Sequence, residues 1–187
     1  MKICILYSSL TGCTKRVARA IFDGLHELET DFGPIESQFL DIKEGIPQDL
    51  NTYDYLAFGY WVNKGGLDPE AEAFLRKLPP SNAFIFCTLA YYAESRHGAE
   101  SLLLGMDLAK SLGHNVIGGI VCNGALAPEL IERMKTRVLA PGNPHSFTPE
   151  KAIRYEVMSR YPTATECQLA SERFNDRVRI QEGIRKL

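Results

Sequence analysis

The most informative absence in this sequence of 187 residues is that of any paired disulfide or metal-binding pattern. Its five cysteines include no Cys-x-x-Cys pair, and their odd number does not suit a disulfide framework. The four histidines show no metal-ligand spacing. We therefore expect no metal site and no iron–sulfur site, and we expect most of the thiols to be buried and reduced.

Long apolar runs and a strong net charge are also missing. No stretch approaches the roughly 18 apolar residues of a membrane span, and the apolar run of residues 3–7 is too short for a signal-peptide core. The formal net charge of −2 gives no reason to expect nucleic acid as a partner. With 45% apolar and 24% charged residues the composition is globular, and we predict a single cytoplasmic domain over residues 1–187 with no membrane contact.

Residues 1–15 predict a strand, a tight polar loop and the start of a helix. The run from Ile3 to Tyr7 has the length and β-branched content of a buried strand. Hydroxyl residues and glycine follow, and apolar residues then recur at the spacing of the inner stripe of a helix. The members of that stripe are Val17, Ile21, Leu25 and Leu28.

A loop in this position can bind an anion, because the first N–H groups of a helix have no intrahelical partner and carry partial positive charge. Gly12 allows close approach, and Ser9, Thr11 and Thr14 offer hydroxyl donors. The spacing Ser-x-Thr-Gly-x-Thr directly after the first strand resembles the phosphate loop of the flavodoxin family, which binds flavin mononucleotide (FMN). The same residues also fit an ordinary strand-to-helix turn capped by Ser or Thr.

The order of the remaining elements predicts a parallel sheet covered on both faces by helices. The alternation of strands and helices favours a doubly wound α/β fold, and five strands fit the flavodoxin-like order 2-1-3-4-5. A final helix, whose inner face is Ala170, Phe174 and Val178, is expected to cover the sheet. The four later strands are expected at residues 35–40, 51–60 with the apolar part ending at Gly59, 83–87 and 116–122.

The helices between these strands have recognisable starts and ends. Asp68-Pro69-Glu70 provides an N-cap, a proline at the first position and an acidic first turn. Extra helices are expected from Pro128 to Val138 and from Thr148-Pro149-Glu150. A helix that contains Leu102, Leu103, Met106 and Ala109 is expected to end at Gly113.

Ligands of an open parallel sheet bind beyond the carboxyl ends of its strands, where the strand order reverses. Three segments leave the predicted sheet there: residues 8–14, 59–67 and 88–95. The second contains Trp61, the only tryptophan, and the third contains Tyr91 and Tyr92. Aromatic loops on both sides of a phosphate loop suit a planar phosphorylated ring, and each aromatic stack adds about 0.5–1.5 kcal/mol.

The resemblance to flavodoxins also implies individual contacts with FMN. Trp61 and either Tyr91 or Tyr92 would lie against the flavin ring, although Trp61 could instead be a core or interface aromatic and one tyrosine could simply pack under its loop. Thr88 and Leu89 belong to the same implied site. The remaining implied contacts are with the phosphate, from Ser9, Thr11, Gly12, Cys13 and Thr14, and with the flavin N5 edge, from the main chain of Val62, Asn63, Lys64 and Gly65.

Two features depart from the flavodoxin pattern. Many flavodoxins are acidic around the flavin, whereas the ring loops here carry Lys64 and Arg96 against Glu94, so we expect a less reducing flavin. An inserted block, residues 124–161, leaves the fifth strand at the edge where the flavin is expected and could form a wall or lid. Its His145, Phe147 and Tyr155 are then possible partner or substrate contacts, with surface packing as the alternative.

The favoured function is an FMN-binding electron carrier between redox partner proteins, in which no side chain acts as acid or base. A second interpretation is an FMN reductase that takes hydride from NAD(P)H for a quinone or another small acceptor. The spacing from Cys13 to Arg19 matches the Cys-x5-Arg pattern of some phosphatases, although Cys13 lies too far beyond the strand for that chemistry. The last alternative is a flavin-free binding module.

Overall fold

The computed structural model describes residues 1–45, 53–137, 143 and 146–187. Within these residues the strands are β1 (Lys2–Tyr7), β2 (Glu36–Asp41), β3 (Tyr55–Asn63), β4 (Gly66–Leu67), β5 (Asn82–Leu89) and β6 (Asn115–Asn123). The helices are α1 (Cys13–Asp23), α2 (Leu25–Phe32), α3 (Pro69–Leu75), α4 (Arg96–Ser111), α5 (Pro128–Thr136), α6 (Pro149–Met158) and α7 (Ala164–Arg185), with a short 3-10 helix at Ile42–Glu44.

Five strands pair in parallel in the order β2-β1-β3-β5-β6, and the short β4 pairs antiparallel with the end of β3. Counted without β4, this is the predicted order 2-1-3-4-5, and the α/β fold is confirmed. The strand order reverses at β1 and β3, where Tyr7 lies beside Gly59. The switch point that a ligand would use therefore lies between the loops after these two strands.

Alternation along β1 divides the core between the two faces of the sheet. Ile3, Ile5 and Tyr7 belong to the apolar cluster under α1, α2 and α7, and Cys4 and Leu6 belong to the cluster under α3 and α4. All five side chains are buried, as expected for a parallel sheet covered on both faces. The predicted α7 face is confirmed as well, since its three residues are fully buried.

Two predictions about element bounds are wrong. The predicted first helix is two helices that meet at Gly24, where a Cβ atom would lie 1.9 Å from the Ser171 hydroxyl oxygen of α7. The strand predicted to end at Gly59 continues to Asn63 as part of a hairpin.

The extra helices after β6 begin where the sequence predicts. Pro128 starts α5, and Thr148 caps α6 by accepting a hydrogen bond from the Lys151 N–H. Val138, His145 and the polar lead at residues 51–52 lie outside the described residues.

Candidate functional site

The loops after β1, β3 and β5 meet at the carboxyl edge of the sheet and enclose a cavity of about 220 Å³. The segment after β6 supplies a fourth wall. The lining is mostly apolar, and Lys64 is its only charged residue among those the structure describes. The lining residues are Leu10, Thr11, Trp61, Val62, Asn63, Lys64, Thr88, Leu89, Ala90, Gly124, Ala125, Leu126, Ala127 and Leu130.

The loop between β1 and α1 leaves its donors open. Gly12, with φ of 83°, occupies the N-cap of α1, and no side chain accepts a hydrogen bond at this cap. A Cβ atom at Gly12 would meet nothing within 4 Å, so there is free space above the helix N-terminus. The Ser9 hydroxyl oxygen is buried without a hydrogen-bond partner among the described residues. An anion at this position could accept from both the hydroxyl and the helix N–H groups.

Two residues of the predicted phosphate loop turn their side chains away from this space. The hydroxyl groups of Thr14 and Thr88 are hydrogen-bonded at 2.9 Å, and Thr14 is fully buried. The Cys13 sulfur accepts the Ala125 N–H at 3.2 Å and the Thr11 hydroxyl at 3.1 Å. Thr14 and Cys13 therefore tie α1 to β5 and to the segment after β6, and they offer the loop their main-chain N–H groups rather than their side chains.

Trp61, Val62 and Asn63 belong to the hairpin of β3 and β4 rather than to an irregular loop. The two-residue turn at Lys64 and Gly65 has φ of 51° and 88°, the left-handed backbone that hairpin turns of this length require. Trp61 still pairs with Thr88 in the parallel sheet, which places it at the cavity wall. The ring of a ligand in the cavity would thus meet a regular, hydrogen-bonded element.

Trp61 also borders a second cavity of about 240 Å³ beside the same loop. This cavity includes Ser9 and the fully buried Asp68, whose Oδ1 accepts hydrogen bonds from the Ser8 hydroxyl and the Ala71 N–H, both at 3.0 Å. Asp68 Oδ2 has no partner among the described residues. Burial raises the pKa of this carboxyl, and the two hydrogen bonds oppose that rise. The sequence identified Asp68 only as a helix cap and gave no signal for its contact with Ser8.

Tyr91 and Tyr92 do not line either cavity. Their rings pack against each other at 4.9 Å between centroids, and Tyr91 lies edge-on to His97 at 6.0 Å. The ring of Tyr91 also contacts the guanidinium group of Arg154 in α6. Of the predicted aromatic pair around the ring, Trp61 lines the cavity, whereas Tyr91 contacts the inserted block and Tyr92 packs on Tyr91.

The segment after β6 is the part of the site that residue-by-residue prediction missed. The Gly124 N–H donates to the Leu89 carbonyl at 2.8 Å, so this segment stays beside β5 as it leaves the sheet. The only sequence signal was the position of the inserted block after the fifth strand. Phe147 and Tyr155 of that block face each other at 6.3 Å in a separate groove with α5.

The cysteines of this chain are not arranged for nucleophilic chemistry. All five are free thiols, four are buried, and burial raises the pKa of Cys87 to about 12. The phosphatase arrangement is absent, because residues 13–19 are helical and Arg19 pairs with Asp23 at 3.0 Å instead of turning toward Cys13.

The described residues contain neither a metal-binding cluster nor a helix suited to cross a membrane. No group of three or more histidine, cysteine, aspartate or glutamate side chains is placed to hold a metal ion. No helix in the same part of the chain combines the length and apolar character needed to cross a membrane.

Comparisons with known proteins give one consistent family. The family model described as "Flavodoxin domain" matches residues 4–175, a range that spans the whole inserted block. The chain is 30% identical over 174 residues to a flavodoxin-like domain-containing protein, BilS, of Clostridioides difficile (strain CD3), covering 91% of this chain and 93% of that protein. It is 23% identical over 177 residues to the BilS protein of Clostridium symbiosum (strain WAL-14163), covering 89% and 90%.

Solved structures agree on the fold. Oxidised Flavodoxin 1 from Bacillus cereus superposes with a TM-score of 0.53 at 17% identity, covering 71% of this chain and 91% of that chain. Oxidised Flavodoxin 2 from the same organism gives a TM-score of 0.52 at 21% identity, covering 69% and 87%. Both cover a smaller share of this chain than the BilS proteins do.

Proposed function

This chain belongs to the flavodoxin family, and we propose that it binds FMN and carries electrons between redox partner proteins. The observation that supports this most directly is a cavity beside Trp61 that adjoins an uncapped helix N-terminus. A planar ring and a phosphate group can be held in such an arrangement at the same time.

The phosphate end of FMN fits the loop after β1. The buried Ser9 hydroxyl has no partner among the described residues, and the space above Gly12 is open. Both features are expected where the protein leaves donors for a dianionic group. Ser9, Gly12 and the main-chain N–H groups of Cys13 and Thr14 would hold the phosphate, and Thr11 borders the cavity.

The ring end fits the cavity. Its volume of about 220 Å³ is below the ~300–1,000 Å³ typical of pockets that enclose a whole ligand, so it suits part of a nucleotide with the phosphate outside. Trp61 would lie against the ring, and the main chain from Val62 to Gly65 would meet its edge. Leu126, Ala127 and Leu130 would limit the access of water from the far side.

When bound, FMN supplies the redox chemistry of the site. The residues of this chain hold the phosphate, orient the ring and set the charge around it. Lys64 provides a single positive charge, and no carboxylate lines the cavity in the described part of the chain.

The first experiment is the visible absorption of the purified protein after FMN is added and excess is removed by desalting. We expect retained flavin absorbance with a stoichiometry of one. A protein that keeps no FMN would contradict the proposal. For a protein that does keep FMN, adding NADPH or NADH without a partner separates a carrier, which stays oxidised, from an NAD(P)H-dependent reductase, which bleaches.

The phosphate contact can be tested with Ser9→Ala. Loss of one hydrogen bond to a charged group costs about 1.5–3 kcal/mol, so we expect FMN to bind about 10- to 100-fold more weakly. Ser159→Ala, an exposed hydroxyl that bonds only the Glu156 carbonyl, is the matched control and should bind FMN normally. Equal affinity of Ser9→Ala and the wild-type protein in a fluorescence titration would place the phosphate elsewhere.

A further inference from the structure

Arg154 of α6 lies against two aromatic rings. Its guanidinium carbon is 4.9 Å from the ring centroid of Tyr91 and 5.2 Å from that of Tyr155. Tyr91 belongs to the loop after β5, and Tyr155 is a buried residue of α6 that directly follows Arg154. Cation–π contacts of this kind stabilise the charge of Arg154 and fix its position. They do not provide acceptors for the N–H donors, which lie in the plane of the guanidinium group.

The hydrogen-bonding capacity of Arg154 is unused in the described part of the chain. Its Nε is buried without a hydrogen-bond partner, and no carboxylate there lies within ion-pair distance. The contrast is Arg179, the other half-buried arginine of the described residues, which pairs with Asp31 at 2.7 Å and with Asp176 at 3.3 Å. A half-buried cation without an anion carries an uncompensated desolvation penalty, so Arg154 is suited to bind an anion from another molecule.

The position of Arg154 connects it to the candidate site. Its ring partner Tyr91 directly follows Ala90, which lines the cavity, and the block that carries α6 begins with the cavity residues 124–127. Tyr91 also contacts His97, which lies next to the hairpin turn at Gly65. A ligand held by Arg154 would therefore lie at the rim of the site rather than inside it.

We propose that Arg154 binds a carboxylate of the molecule that exchanges electrons with this protein. The role of this site in electron exchange rests on the proposed function, whereas the binding of a carboxylate by Arg154 does not. A carboxylate matches the single positive charge and can accept two parallel hydrogen bonds from one guanidinium edge. Exposed Ile153 and Val157 on the same helix add apolar surface, which favours an organic carboxylate over a free inorganic anion. The carboxylate can belong to an acidic side chain of a partner protein or to a small organic acceptor.

The test is an NMR titration of the arginine Nε–H signals in the uniformly ¹⁵N-labelled, FMN-loaded protein. The probes are benzoate, a hexaglutamate peptide and inorganic phosphate, and the Arg154 signal is assigned by its absence in Arg154→Gln. We expect this signal to shift and saturate with the carboxylates at concentrations at least about tenfold lower than with phosphate. Tighter binding of the peptide identifies a protein carboxylate, and tighter binding of benzoate identifies a small acceptor.

Two variants make the result specific. Arg154→Lys keeps the charge but loses the planar pair of donors, and we expect it to bind the preferred probe about tenfold more weakly. Arg160→Gln removes an exposed arginine of the same region that lies over one ring only, that of Tyr161, and binding should be unchanged. Circular dichroism of each variant shows that the helices are retained.

Absence of any saturable shift at Arg154, or an equal effect of Arg160→Gln, would overturn the proposal. The same titration on flavin-free protein separates it from the proposed function. If the protein binds no FMN but Arg154 still binds carboxylates, the anion site is supported and its role in electron exchange is refuted.

Discussion

Gly59 shows how closely single positions of the central sheet are packed. A Cβ atom at this position would lie 2.2 Å from ring carbons of Phe86, which is fully buried in β5. Neither residue can move without disturbing the sheet, so we expect Gly59→Ala to lower the free energy of unfolding by about 1–3 kcal/mol or more.

Gly183→Ala is the matched control, because a Cβ atom there meets nothing within 4 Å. Since Gly183 lies in a helix, this substitution should raise the free energy of unfolding by roughly 0.5–1 kcal/mol. Urea unfolding of both variants checks the pair, and a neutral Gly59→Ala would contradict the packing argument.

The buried Asp68 predicts a pH dependence of stability. Burial raises the pKa of its carboxyl in the folded protein. At a pH between the pKa of the unfolded state and the higher pKa of the folded state, the native protein therefore binds more protons than the unfolded protein. The contribution of Asp68 is therefore most favourable below its unfolded pKa of about 3.9 and is lost as the pH rises through the folded pKa.

Asp68→Asn removes this titration while keeping an oxygen that can accept from Ser8 and Ala71. We expect the free energy of unfolding of the variant, relative to wild type, to increase as the pH is raised from about 4 toward 7. Urea unfolding at several pH values measures the difference. A difference that stays constant would mean that folding does not shift the pKa of the carboxyl, and a difference that falls with pH would mean that the folded protein stabilises the carboxylate anion.

At the scale of secondary structure, most elements of this fold could be predicted because their signals are local. The Asp68 and Thr148 caps, each followed by proline, start α3 and α6 as expected. The hairpin could not be predicted, since its turn is Lys64-Gly65 and lysine is not a residue that favours left-handed backbone. The side-chain direction of Thr14 depends on Thr88, which is 74 residues away, and local sequence contains no information about that contact.

The start of α7 is joined to the site by one side chain. Glu166 accepts the N–H and hydroxyl of Thr163 in a capping box, and it also accepts the main-chain N–H and side-chain amide of Asn123 at the end of β6. One carboxylate thus joins α7 to the strand that leads into the cavity wall. We expect Glu166→Ala to cost about 2–4 kcal/mol, from a lost cap and lost hydrogen bonds to a charged group.

Glu172 offers the matched control on the same helix. It is exposed and bonds only the Gln168 amide, so Glu172→Ala should change the free energy of unfolding by less than about 0.5 kcal/mol. Thermal or urea unfolding compares the two variants. Similar small effects for both would mean that the contacts of Glu166 are not made in solution.

At the scale of the whole molecule, the charge around the site bears on the reduction potential of a bound flavin. Arg96 pairs with Glu100 at 2.6 Å, which leaves Lys64 as the charge that lines the cavity. A positive charge near the ring stabilises the reduced, more negative flavin, so we expect a less negative second reduction potential than acidic surroundings would give. Each shift of roughly 1.4 kcal/mol corresponds to about 59 mV for one electron.

Lys64→Glu reverses this charge beside the cavity, and we expect it to lower the second reduction potential of the bound flavin by tens of millivolts, more at low ionic strength than at high. Lys77→Glu makes the same change of charge after α3, near the amino end of β5 and so at the opposite edge of the sheet, and should leave the potential nearly unchanged. Redox titration of the three FMN-loaded proteins at two salt concentrations measures the effect. A wild-type potential already as negative as that of acidic flavodoxins, or equal shifts in both variants, would show that Lys64 does not set the electrostatics of the ring.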